Sequence, residues 1–337
     1  MKVSELGEFG LIDLLAGMVH AAEDKKIAAW QQLILGIGDD AAAWHGDNSI
    51  QLATVDAMVQ DVHFTLGTTG WEELGRKALA VNLSDIAAMG GAPRYALVSL
   101  ALPGQTEVDD VTSLYRGMIN LARQFGVAIV GGNMSGAPLI MINVTLLGSA
   151  ENQDKILTRS AVQAGDKVAV TGYLGAAAAG LEMLSKHLTF DKGTTDSLRK
   201  AFLTPYPRVT EGRLLVEKGV RAAIDISDGL LADLRHICQA SKVGARIQTD
   251  RIPIHPAVKA NFGSRALEIA LSGGEDYELL FTASASAIKQ VTAAATCPIT
   301  VIGEITAGNA GQVTLADAQG NPVDAAGLGW QHFSKGK

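Results

Sequence analysis

Carboxylates in this chain recur on glycine-containing turns and at strand ends, with almost no basic residue beside them. The segments are GIGDDAA (36–42), TVDAMV (54–59), NLSDIAAMGG (82–91), DISDGL (225–230) and SGGEDYEL (272–279). Acids gathered on small-residue turns repel one another unless cations lie between them. Two unit charges roughly 4 Å apart interact by about 4 kcal/mol at an effective dielectric near 20. Hard, oxygen-seeking ions such as Mg²⁺ fill that role and commonly arrive with a polyphosphate. The fold must therefore carry these turns to places where such ions can reach them.

A chain of 337 residues is long enough for two domains. Its composition is 47% hydrophobic and only 5% aromatic, which fits a compact α/β or α+β protein. A formal net charge of −7 argues against a nucleic-acid partner, which needs a basic patch. It leaves anionic small molecules open, because bound metal reverses the local sign. The two cysteines, Cys238 and Cys297, lack metal-ligand spacing and read as free thiols in a reducing compartment. The first ten residues carry Glu5 and Glu8 and do not resemble a signal peptide. No apolar run reaches the roughly 18 residues of a membrane helix. The expectation is a cytoplasmic protein without a membrane or nucleic-acid partner.

Periodicity predicts strands over 50–55, 95–102, 127–130 and 140–147, and helices over 71–89 and 108–125. Glu151–Lys155 is a polar candidate linker, so the expected domains are 1–152 and 153–337. Beyond it, strands are predicted over 167–171, 222–226, 277–282 and 300–305, with an Ala-rich helix over 175–188. A further helix starts at Gly229 and places Leu230, Leu231, Leu234, Ile237 and Cys238 on one face. Asp56 is expected at the end of its strand, and Gly131, Gly132 and Asn133 at the end of theirs.

Several chemistries are absent from the sequence. It holds no G-x-x-x-x-G-K-[ST], no G-x-S-x-G, no H-E-x-x-H and no G-x-G-x-x-G. Gly36-Ile37-Gly38 runs into Asp39 and Asp40, which would repel a pyrophosphate unless metal intervened. Taken singly the acidic motifs are ambiguous. Gly-Asp-Asp is usually a solvated turn, Asp56 could cap a helix, and Ser227 or Asp228 could cap the helix after Gly229. Glu275 and Asp276 could belong to an ordinary turn. Asp85 is more diagnostic, being an acid among Leu, Ile, Ala and Met near a helix C-terminus, where the dipole disfavours an anion. Buried charge needs a metal or an ion partner.

In combination the segments are far more specific. GIGDDAA, TVDAMVQDVHF, KALAVNLSDIAAMGG, LTRS-x-x-x-x-GD, DISDGL, SGGEDYEL and a late GWQHF occur in one order. Together they resemble the thiamine-monophosphate kinase family of the aminoimidazole-ribonucleotide-synthetase-like superfamily, from Gly7-Glu8-Phe9 to Phe333. The resemblance implies an α+β fold of two α/β-sandwich-type domains, the N- and C-terminal kinds of that superfamily, with the active site between them. It implies ATP-dependent phosphorylation of thiamine monophosphate by direct, Mg²⁺-assisted in-line transfer, with no covalent enzyme intermediate. By position, Asp39, Asp40, Thr54, Val55 (through its backbone oxygen), Asp56, Asp85, Asn133, Asp225 and Asp228 would be metal ligands for several Mg²⁺ ions. Tyr115, Gly132, Asn133, Arg159 and Ser227 would contact ATP; Tyr115 reads equally well as a half-buried helix aromatic. His63, Glu275 and Trp330 would lie on the thiamine side, where an aromatic face and a carboxylate suit a cationic thiazolium. The alternatives to these substrate-side roles are a surface histidine for His63 and simple packing for Trp330.

The sequence departs from the family at Gly131-Gly132-Asn133-Met134, where Gly-Gly-Asp-Thr is common. Asn133 offers an oxygen but no charge, so one Mg²⁺ site is expected to be weakened, or filled only with ATP bound. The family also implies a homodimer formed through the N-terminal domains, for which the strands over 50–55 and 95–102 could supply a surface. Two other readings remain at this point: a different ATP-dependent enzyme of the superfamily, or a non-catalytic nucleotide-binding paralogue.

Overall fold

The computed structural model describes residues 1–37 and 42–324. The chain forms two compact units: Met1–Ile86 with Gly91–Gln153, and Ala87–Gly90 with the chain from Asp154 onward.

The first unit contains α1 (Val3–Leu6), α2 (Glu8–Ala21), α3 (Ala28–Gln32), β1 (Leu33–Leu35), β2 (Ala43–Trp44), β3 (Ile50–Val59), α4 (Trp71–Ala88), β4 (Ala92–Leu102), α5 (Val108–Phe125), β5 (Ala128–Gly136) and β6 (Met141–Ala150). Its main sheet runs β3-β6-β4-β5, with β4 and β5 parallel and the other pairs antiparallel. Alternation fixes which face is buried. Val98, Leu100 and Leu102 of β4 and Ile142, Val144 and Leu146 of β6 lie in the core, while Ala53, Val55 and Ala57 of β3 are exposed. Such one-sided burial is normal for antiparallel sheets. Val55, 56% exposed, is the largest apolar side chain among these outward residues of β3.

The helix over 108–125 is found as predicted, closed by Gly126 in the left-handed conformation. Four strands of this unit run beyond their expected limits, β6 by continuing to Ala150. β3 continues to Val59 because β6 supplies ladder partners as far as Met141, so Asp56 lies inside the strand and does not end it. β5 continues to Gly136 beside β4, so Gly131, Gly132 and Asn133 are likewise internal. β4 begins at Ala92 and takes in Pro93, at a register shift between Pro93 and Tyr95 where the ladder is already interrupted.

The second unit contains β7 (Lys167–Thr171), α6 (Ala176–Ser185), α7 (Lys192–Leu203), α8 (Val209–Glu217), β8 (Ala222–Asp225), α9 (Leu230–Ser241), β9 (Gly244–Gln248), α10 (Pro256–Asn261), α11 (Ala266–Ser272), β10 (Leu279–Ala283), α12 (Ala285–Ala294), β11 (Ile299–Thr306) and β12 (Val313–Ala316). Its sheet runs β12-β9-β11-β7-β10-β8 and is antiparallel except for β12 with β9. The central strands β7 and β10 are almost wholly buried, as their apolar sequences require. α9 packs on this sheet through Leu231, Leu234, Ile237 and Cys238. Each such side chain contributes about 1.5–3 kcal/mol on burial. A second apolar cluster joins α6, α7, α10 and α11 through residues such as Met183, Leu198, Val258 and Ile269. Both cysteines are free thiols. Among the described residues no helix is long and apolar enough to cross a membrane.

Candidate active site

In the first unit, α4 places Ala78, Asn82 and Asp85 at helical spacing along one stripe. Asn82, fully buried, anchors its amide nitrogen on the Ala78 carbonyl at 3.0 Å. Its amide oxygen accepts the N–H of Asp56 at 3.1 Å. β3 is an edge strand, so this side chain satisfies a backbone donor left without a ladder partner. One turn along, Asp85 accepts the Thr54 hydroxyl at 2.5 Å. Thr54, Asp56 and Asp85 are thereby drawn to one place. Asp56 keeps solvent contact, yet the protein around its carboxyl and then the charge of Asp85 push its pKa up to about 6. Proximity of two carboxylates and a hydroxyl, with one acid pushed toward protonation by the other, is a donor set of hard oxygens that fits a divalent ion such as Mg²⁺.

Other expected residues of this unit make local contacts of their own. His63 accepts the Val59 N–H on Nδ1 at 3.0 Å, which leaves its proton on Nε2. Asn133 is exposed and its amide donates to the Ser135 hydroxyl at 3.2 Å, along its own strand. A Cβ on Gly132 would lie 1.8 Å from the Val98 carbonyl oxygen, so tight packing against β4 is enough to require glycine there. Tyr115 is 5% exposed within the core face of α5, and burial raises its hydroxyl pKa. This burial matches the helix-aromatic alternative given for Tyr115. Asp39, Asp40 and Trp330 lie outside the described residues.

The second unit assembles a denser group. Asp225 ends β8 and is 4% exposed. Ile226–Gly229 follow as a loop, with Gly229 at φ 118° as the N-cap of α9. Neither Ser227 nor Asp228 caps that helix through its side chain, contrary to the capping alternative. The backbone N–H groups of Ser227, Asp228 and Gly229 donate instead to Asp233 Oδ2, at 3.2, 3.2 and 3.1 Å. Burial, then the charges of Asp225 and Asp228, push the Asp233 pKa up to about 8 despite those donors. Asp228, Asp233 and His236 bring one potential ligand atom each within 4.8 Å of one another.

SGGEDYEL docks onto this loop. Glu275 N–H donates to Ser227 O at 2.8 Å, and Tyr277 N–H to Ile226 O at 2.9 Å. Glu275 and Tyr277 both hold positive φ, at 65° and 50°, a conformation that non-glycine residues keep only when the surroundings impose it. The acids that alternate with them, Asp276 and Glu278, are both held by several hydrogen bonds. Asp276 accepts the N–H groups of Gly175 and Ala177 at 2.8 and 3.3 Å, capping α6. Burial nonetheless pushes its pKa up to about 7. Glu278, 8% exposed, binds Arg208 in a fork with two 2.6 Å contacts and accepts the Thr171 hydroxyl at 2.5 Å. Arg159 is exposed, and its carbonyl is held by the Ser241 hydroxyl at 2.8 Å.

The structure thus brings together Thr54, Asp56 and Asp85 in one unit, and Asp225, Ser227, Asp228 and Glu275 in the other. Sequence reasoning missed Asn82, Asp233 and the Arg208–Glu278 pair. Asp233 was accessible by the criterion that singled out Asp85, an acid within an apolar helix face.

This architecture and these acids define a class. The family models of the AIR synthase related protein match residues 38–150 with the N-terminal domain and 163–316 with the C-terminal domain. Within that class, the thiamine-monophosphate kinase of Escherichia coli (strain K12) is 38% identical over 336 residues, covering 97% of this chain and 98% of the relative. The crystal structure of thiamine-monophosphate kinase from Stenotrophomonas maltophilia K279a superposes with a TM-score of 0.81 at 36% identity, covering 89% of this chain and 95% of that one. The structure of AaThiL complexed with AMPPCP and TMP has a TM-score of 0.75 at 33% identity, covering 99% of each chain. The chain belongs to the thiamine-monophosphate kinase family.

Proposed function

We infer that this chain is an ATP-dependent thiamine-monophosphate kinase. A phosphate oxygen of thiamine monophosphate attacks the γ-phosphorus of ATP, the bond from that phosphorus to the bridging β–γ oxygen breaks, and thiamine diphosphate and ADP leave. The observation that carries the reading is the full-length likeness to a relative complexed with AMPPCP, an ATP analogue, and TMP. The attacking oxygen is already anionic, so no nucleophilic side chain and no strong general base are needed. What the protein must supply is charge compensation and alignment.

Residue roles follow from chemistry and placement. We assign Thr54, Asp56 and Asp85, with Asp39, Asp40 and the Val55 carbonyl by position, to holding Mg²⁺. Asp225 and Asp228 form a second acidic set of the same kind, and Asn133 would supply a neutral oxygen to a weaker site. When bound, Mg²⁺ neutralises the phosphate oxygens that must approach one another. The Ser227 hydroxyl and the Arg159 guanidinium are suited to donating to ATP phosphates, and Gly132 remains a place for close backbone approach. The docking of the SGGEDYEL segment on the DISDGL loop fixes the backbone of Glu275, the proposed partner of the thiazolium together with Trp330 and His63. We further propose residues 1–152 as the metal-binding and dimerising domain, and 153–337 as the domain completing the ATP and thiamine sites. The outward face of the β3-β6-β4-β5 sheet, with Val55 and Met141, would form the homodimer contact. A cytoplasmic location suits a protein that draws on ATP.

The test is to incubate the protein with Mg-ATP and thiamine monophosphate and resolve the products by chromatography. Thiamine diphosphate and ADP in equal amounts are expected. Nucleotide binding without turnover would point to a non-catalytic paralogue.

A further inference from the structure

Backbone N–H groups at the start of a helix can bind an external anion. Before α9 they are already occupied. Three successive N–H groups, from Ser227, Asp228 and Gly229, converge on a single oxygen of Asp233 at 3.1–3.2 Å. Asp233 lies in the first turn of α9 and is 2% exposed. The chain's own carboxylate therefore takes the place that a phosphate would take in a glycine-rich nucleotide loop.

We propose that Asp233 is a positioning residue for the phosphoryl transfer, acting through the Ser227–Gly229 segment. The inference rests on the kinase reading given above. Fixing three consecutive amides fixes the backbone that carries the Ser227 hydroxyl and the Asp228 carboxylate. The same segment holds the thiamine-side acid, because Ser227 O accepts the Glu275 N–H at 2.8 Å. A Cβ on Gly274 would lie 2.5 Å from Ser227 O, so the two segments are also in close backbone contact. One buried carboxylate thus sets the placement of residues on both the nucleotide side and the acceptor side. Nucleotide phosphates here must be met by side chains and cations, since the loop amides are taken.

Asp233→Asn keeps the volume but puts an NH₂ donor where one of the two carboxyl oxygens stood, which cuts the side chain's capacity to accept the three N–H groups. Displacements of about 1 Å at a reacting centre cost on the order of 100-fold in rate. Asp233→Asn is therefore expected to lower kcat by roughly ten-fold to 100-fold, to weaken MgAMPPCP binding measured by calorimetry by roughly ten-fold, and to raise the KM for thiamine monophosphate. Hydrogen exchange supplies a measurement on the wild type itself: the three amides are expected to be protected without nucleotide, and to lose that protection in Asp233→Asn. His236→Ala should leave turnover and MgAMPPCP binding unchanged.

The proposal is overturned if the wild-type amides exchange at unprotected rates, or if Asp233→Asn retains both kcat and MgAMPPCP affinity. It is also overturned if His236→Ala reproduces the loss, which would make Asp233 a cation ligand with His236. If Asp233→Asn does not fold, the wild-type exchange decides the matter. A wild type that forms no thiamine diphosphate would refute the kinase reading and leave the amide-protection and MgAMPPCP arms readable.

Discussion

Arg208→Leu should be the most destabilising single change near the candidate site, for reasons that can be worked through. Arg208 and Glu278 expose only 17% and 10% of their side chains and meet in a fork with two 2.6 Å contacts. Removing the guanidinium leaves Glu278 buried without its cation, which costs about 3–5 kcal/mol. At roughly 2–4 °C per kcal/mol for a domain of this size, Tm should fall by about 6–20 °C. Replacing both partners, as Arg208→Leu with Glu278→Leu, removes the stranded charge. The Thr171 hydroxyl then loses its acceptor, a residual loss of about 1–3 kcal/mol. The double variant should therefore be more stable than Arg208→Leu alone. Urea or thermal unfolding of the four proteins in a double-mutant cycle measures both quantities. A single-variant loss below about 1 kcal/mol, or a double variant no more stable than the single, would refute the argument.

Four further outcomes are expected. Asp85→Asn should lower kcat by roughly 100-fold or more while the protein stays folded, and near-normal turnover would remove Asp85 from the metal set. Gly132→Ala should lose about 1–3 kcal/mol without any ligand present, because its Cβ would meet the Val98 carbonyl; an unchanged Tm would leave close approach of a ligand as the reason for glycine. Asp56 titrates with a folded-state pKa of about 6 against 3.8 in the unfolded chain, so its favourable contribution is complete below pH 3.8 and lost as pH rises through about 6. With solvent screening this amounts to about 1 kcal/mol, so chelator-treated wild type should lose stability relative to Asp56→Asn between pH 4 and 7; parallel curves would contradict it. Trp330→Ala should raise the KM for thiamine monophosphate more than that for ATP, and equal changes would indicate packing alone.

Legibility in the sequence followed the range of each interaction. The helix over 108–125 and the strand over 167–171 were readable because periodicity and Gly126 are local signals. The extra length of β3 and β5 was not, since it depends on ladder partners supplied by β6 and β4 from distant sequence. Asp56 and Asp85 were visible as chemically odd acids, but Asn82, which holds the Asp56 backbone, reads as an ordinary helix residue until β3 is placed beside it. Asp233 stood out in the same way, as an acid on an apolar helix face, but its role did not: its partners are backbone N–H groups, which carry no residue signature, and Ser227 and Asp228 looked like the natural caps. The positive φ of Glu275 and Tyr277 was equally unreadable, because neither residue type favours that conformation.

The central claim is that these aspartates hold divalent ions against substrate phosphates. Crystals grown with Mn²⁺, AMPPCP and thiamine monophosphate test it through anomalous scattering. The account predicts manganese peaks at the Thr54–Asp56–Asp85 group and at Asp225 and Asp228. Peaks confined to other surfaces, with these carboxylates bare beside bound nucleotide, would contradict it.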